Sequence, residues 1–189
     1  MRAEFVHEAD PDDAQWKIAA YENPVGERLW HATATATVPL QIICALLDSL
    51  GSGDATKIAA GSPLSEETIS EATRPLADAG WEHTIDGRRI RWQAPGGRHV
   101  GVQFDAFAAQ AHPCTQAAWT FWGGNVGSPK WALRFSPHAA ASVLQSVMFE
   151  VANGRTPTPI TAHARHHNVI DRASTHAPPA PRVSSTRRG

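Results

Sequence analysis

Residues 30–53, WHATATATVPLQIICALLDSLGSG, decide the fold, because residues 131–154, WALRFSPHAAASVLQSVMFEVANG, restate them. Aligned without a gap, Trp30 meets Trp131, Thr35 meets Ser136 and Gly53 meets Gly154. The apolar set Ile42, Ile43, Leu46, Leu47 and Leu50 meets Val143, Leu144, Val147, Met148 and Val151. That spacing follows the 3.6-residue period of a helix and marks one face for burial. Carried backwards, the same register pairs Tyr21 with Trp122, Val25 with Val126 and Gly26 with Gly127. Pro39 suits the first turn of one helix, whose end is marked by Gly51 and Gly53. Ser136 and Pro137 read as N-cap and first helical residue of the other.

Working outward, Trp16, Ile18 and Ala20 alternate with Lys17 and Ala19, the pattern of a strand with one buried face. Residues 23–26, Asn-Pro-Val-Gly, form a turn, and a second strand ends in the β-branched Thr33, Thr35 and Thr37. Each unit, 15–53 and 116–154, therefore reads strand, turn, strand, helix. Two helices with one apolar face each are packed most economically on a shared antiparallel sheet, which makes the chain an α+β protein with an internal repeat.

Residues 62–105 form an insert of a different kind. Ser65-Glu66-Glu67 opens a helix with carboxylates at its positive end, Ile69, Ala72, Leu76 and Ala79 share a face, Pro75 introduces a kink and Gly80 ends it. Three short strands follow, turning at Asp86-Gly87 and at Pro95-Gly96-Gly97. If this meander belongs to the first unit, the second unit lacks one, and the chain after Gly154 stands where it would begin. Residues 1–14 read as a flexible lead-in. Residues 155–189, with their Thr-Pro and Pro-Pro runs, have no amphipathic period and read as a disordered basic tail.

The composition is that of a globular protein, with 42% hydrophobic and 19% charged residues. The net charge of -1 conceals a segregation of sign. Residues 1–153 carry 11 Lys and Arg against 17 Asp and Glu, whereas residues 154–189 carry six Arg against one Asp. Two cysteines do not make a disulfide framework; Cys44, on the apolar helix, reads as a buried free thiol. No apolar run reaches the roughly 20 residues of a membrane span, so a cytoplasmic protein without a membrane partner is expected.

The motif Trp30-x-Ala32 with the helix after it, then Gly80-Trp81, Asp86-Gly87 and Trp92-x-Ala94-Pro95-x-Gly97-Arg98, resembles the actinobacterial SPDY family. This is a domain of unknown function common in streptomycetes, often in tandem copies, and the resemblance covers about residues 15–154. It implies a fold whose turns and core rest on Trp, Gly and Pro positions, with Trp30, Trp131, Trp81 and Trp92 as core. It implies no activity.

The residues themselves point to no catalytic constellation, cofactor or metal. His163, His166, His167 and His176 lie in the tail without a Cys pair or carboxylate, and His112-Pro113-Cys114 supplies too few ligands. Gly123-Gly124-Asn125-Val126-Gly127 lacks the Lys-Ser/Thr of a phosphate loop and reads as a turn. Glu66, Glu67 and Glu71 read as a solvated helix face. Arg89, Arg91 and Arg98, near Trp81 and Trp92, form a basic patch if Arg89 and Arg91 share a strand face and Arg98 sits on a neighbouring strand; such a patch can contact nucleic acid. Two functional readings follow. The first is a non-enzymatic interaction module whose uncovered sheet edge or aromatic face binds a protein partner or a second copy. The alternative is a nucleic-acid-associated accessory protein held by its basic tail and that arginine face.

Overall fold

The computed structural model describes residues 2–6, 15–21, 26–51, 65–110 and 116–154, all within one compact unit, Met1–Pro157. Its element order is β1 (Arg2–Val6), β2 (Gln15–Tyr21), β3 (Arg28–Thr35), α1 (Leu40–Gly51), α2 (Glu66–Asp78), β4 (Glu82–Asp86), β5 (Arg89–Gln93), β6 (Val100–Asp105), α3 (Ala106–Gln110), β7 (Trp119–Asn125), β8 (Ser128–Phe135) and α4 (Ala141–Asn153). The α+β class read from the sequence is the observed one. The strands form a single antiparallel sheet in the order β1-β2-β3-β8-β7-β6-β5-β4.

One set of alternating strand residues supplies the core floor: Ile18, Ala20, Trp30, Ala32, Ala34, Val102, Phe104, Trp119, Phe121, Leu133 and Phe135 are buried in one cluster with residues of α1, α2 and α4. Helix α4 packs against α1 on one side and α2 on the other. Alternation with period two explains why each strand sends every second residue into this layer. Trp119 sits at its centre, 4.6 Å from the Phe104 ring and stacked on Trp92 at 6.3 Å.

Residues 1–14 are not simply a lead-in. Arg2–Val6 form an edge strand paired with β2, while residues 7–14 lie outside the described residues, as do the turn at 22–25, His112, Cys114 and the tail. The meander does not complete the first unit either. Strand β6 is bonded to β7, so α2, β4 and β5 extend the second half, and it is β1, at the other end of the sheet, that has no outer neighbour among the described residues.

The strand registers recur across the sheet. Phe5 stands opposite Trp16, and Trp16 opposite Ala34; Phe104 stands opposite Trp119, and Trp119 opposite Phe135. Ala20 faces Trp30 as Gly123 faces Trp131. The gapless register drawn backwards from the two tryptophans is therefore displaced in the strands. Nine residues separate Ala20 from Trp30 but seven separate Gly123 from Trp131, so Gly123, not Phe121, holds the position of Ala20. In the middle, β3 and β8 pair with Thr33 opposite Arg134, Ala32 opposite Phe135 and Ala34 opposite Leu133. Two hydroxyls clamp this seam. Ser136 Oγ accepts the His31 N–H at 3.0 Å and Thr35 Oγ1 accepts the Ala132 N–H at 3.1 Å.

That use of Ser136 explains why it is not a helix cap. Helix α4 begins four residues beyond Pro137, at Ala141, and its N-cap Ala140 makes no side-chain cap. Ser65 does cap α2, its Oγ accepting the Thr68 N–H, and Pro75 is accommodated within that helix. The glycine turn is shorter than expected: Gly123 and Gly124 lie in β7, with Gly124 at φ +100° where the register slips by one residue.

Candidate interaction surfaces

Trp30, Trp81 and Trp92 are buried as core residues, at 1%, 6% and 7% exposure. Trp131 is only half-buried, its indole lying across Gly123, where a Cβ would overlap the ring. Trp119, fully buried, is the core tryptophan that the sequence motifs did not single out. Cys44 is not a buried thiol: it is exposed on the flank of α1.

Arg89 and Arg91 do share a strand face, opposite the core. Pairing of β5 with β6 sets Arg89 beside Asp105 and Arg91 beside Gln103. Arg89 Nε donates to Asp105 Oδ2 at 3.0 Å, and Arg91 Nη2 donates to Gln103 Oε1 at 3.2 Å. The Arg91 guanidinium also lies 6.0 Å from the ring centre of Trp122, which rests on Gly101 on this face, outside the main core. Arg98 joins neither. It lies in the β5–β6 loop rather than on a strand, and its Nη2 and Nη1 donate to the carbonyls of Gly154 (2.8 Å) and Ala152 (3.4 Å). A cation there satisfies the orphan carbonyls at the negative end of α4. The arginine patch thus contains Arg89 held by a carboxylate, Arg98 held by a helix end, and Arg91 bonded to Gln103 with its guanidinium over the Trp122 ring.

Asp105 does two jobs that its position before Ala106 signals. Its Oδ1 accepts the N–H groups of Phe107 and Ala108, capping α3, while Oδ2 holds Arg89. Burial pushes its pKa up, but the Ala108 N–H, the Arg89 side chain and the Phe107 N–H outweigh this, and the net shift is downward. A carboxyl whose folded pKa lies below its unfolded one stabilises the fold above the unfolded pKa and loses that contribution as the pH falls through the folded one. Asp105→Ala is expected to cost about 0.5–2 kcal/mol at neutral pH, most of it from the cap, since an exposed ion pair adds little. As the pH falls through the lowered pKa of Asp105 the difference between variant and parent should shrink, which urea titrations at pH 7 and at successively more acidic pH would show. His31 moves in the same direction: burial, then the nearby Arg28 charge, lowers its pKa.

The described surface carries at least two depressions. A groove of about 790 Å³ runs over α4 between α1 and α2, lined by Asp48, Arg74, Asp78, Phe149 and Glu150 among others, with Phe149 55% exposed. A smaller one, about 320 Å³, lies between the β5–β6 loop and the β7–β8 turn beside Trp122, Arg98 and His99. Among the described residues no three potential metal ligands converge, and no helix is long and apolar enough to cross a membrane.

The flanks of α1 and α4 differ in what covers them. On α4 the stripe Ala141, Gln145, Met148 and Ala152 lies toward α2, where Gln145 Nε2 donates to the Glu71 carbonyl; Met148 is fully buried and Ala152 nearly so. The corresponding stripe on α1 is Leu40, Cys44, Leu47 and Gly51. It is bare, with Leu40 at 70% and Leu47 at 38% exposure.

Compared with known proteins, the chain matches no curated protein and no solved structure. A family model does match residues 1–56, the stretch that holds β1, β2, β3 and α1, and that family is SPDY, a domain of unknown function (DUF317).

Proposed function

We propose that the chain is a non-enzymatic interaction module built from two copies of one unit, β1-β2-β3-α1 and β6-β7-β8-α4, and that it binds a protein partner by strand addition at the outer edge of β1. The observation that carries this reading is the inequality of the two halves. The outer edge of β6 is occupied by β5, whereas the equivalent edge of β1 has no neighbour among the described residues. An unpaired row of backbone donors and acceptors is a template for another chain. The recurring Phe-Trp register and the reciprocal hydroxyl bonds across the β3–β8 seam support the two-copy reading. The opposite edge strand, β4, is exposed throughout.

Nucleic acid is the second reading, motivated by Arg91 on Trp122 and the arginines of residues 155–189. One experiment separates the two. Peptides selected from a random library on the full chain, and separately a DNA duplex, are titrated into the 15N-labelled protein. Strand addition predicts peptide-induced shifts centred on the amides of Arg2–Val6. Shifts centred on Arg89, Arg91 and Gln103 with duplex alone, weakening steeply with salt, would replace the protein-binding reading with the other.

A further inference from the structure

Resting on that reading, we infer that the partner contributes a helix as well as a strand, and that the helix seats on the bare flank of α1 formed by Leu40, Cys44 and Leu47. The chain itself displays the arrangement at the other end of the sheet. There β5 lies beside β6 with Ile90 opposite Phe104 and Trp92 opposite Val102, and α2 lies along α4. Helix α2 presents Ile69, Ala72 and Leu76 to the common core. By the matching register, with Phe5 in the place of Phe104, neither of these positions is filled by a described residue in the first half.

Area favours two elements over one. A strand of five residues is a small contact beside the roughly 1,200 Å² or more that a specific interface buries, and the flank of a helix adds the apolar surface that an edge lacks. The site is continuous with packing already present, because a helix there would extend the layer α2-α4-α1 by one member as the strand extends the sheet. The chemistry of the ligand follows: an amphipathic helix with small and branched apolar residues on one face, leading to a strand with apolar residues at alternate positions.

The test grafts such a segment onto the full chain. A copy of residues 65–99 joined directly ahead of Met1 puts Met1 where Val100 stands and brings copies of α2, β4 and β5 to the open end. In a Cys114→Ser background, Cys44 becomes the reporter thiol. The expected result is that thiol labelling of Cys44 slows about tenfold or more, as it does when a site is covered nine-tenths of the time, and that amide exchange in Arg2–Val6 slows with it. Leu47→Asp in the graft should restore labelling while β7 and α4 keep their amide spectrum. Cys44 labelling at the ungrafted rate overturns the inference: with β1 still protected, strand addition survives alone, and with neither protected both readings fall. A dimer of the ungrafted chain that the graft dissociates would assign this flank to a second copy and overturn the partner proposal.

Discussion

Trp119→Ala should lower the unfolding free energy by about 3–5 kcal/mol, the range for deleting a large aromatic from a packed core. Trp119 is fully buried in β7; its ring lies 4.6 Å from Phe104 on the adjacent β6 and is stacked at 6.3 Å on Trp92 of β5, one strand beyond. Its removal opens a void between layers that cannot close without moving β5, β6 and β7 together. Trp119→Phe should cost distinctly less, because the indole Nε1 has no hydrogen-bond partner among the described residues and only shape is lost. Guanidinium melts of the two variants give the comparison. Equal losses in both would mean that the indole nitrogen is bonded and that the core is organised differently.

Gly101→Val is expected to cost about 1–3 kcal/mol, a typical penalty for forcing atoms into filled space. Gly101 has an ordinary strand backbone, so the reason is contact rather than conformation: a Cβ there would overlap the six-membered ring of Trp122. The indole must lift off the sheet, and Arg91 loses the ring that it lies over. A second substitution discriminates this cause from a general weakening of β6. In a Trp122→Leu background the Gly101→Val penalty should largely vanish, giving a coupling energy that a double-mutant cycle reads directly. Additive effects would sever the proposed link between the two residues.

Both predictions turn on residues whose importance depends on pairing, and this is where legibility in the sequence ended. The stripes of α1 and α4 were readable because periodicity is local, and Ile42, Ile43, Leu46 and Leu50 are buried as their spacing requires. Leu47 obeys the same period and is half exposed, because periodicity says nothing about which flank has a neighbour. Strand β1 was hidden by its composition: Arg2-Ala3-Glu4-Phe5-Val6 is too short and too charged to stand out beside the acidic residues that follow. The three strands of the insert are legible locally, but their place beside β7 is a long-range fact that spacing does not carry. For the arginines, spacing put Arg89 and Arg91 on one face, but only the sheet register supplied Asp105 and Gln103 as their partners. Arg98 went elsewhere because the end of α4 passes close enough to take it.

The β2–β3 and β7–β8 hairpins differ in length by two residues, and the parity of that number decides which way every later side chain faces. Adding a single residue to one arm of a hairpin would rotate every later side chain to the opposite surface, sending tryptophan to water and lysine inward. A pair of residues leaves inside and outside as they were. Turn lengths in chains of this architecture should therefore drift in even steps, and an odd step should be found only with a bulge, such as the one at Gly124, that restores the count.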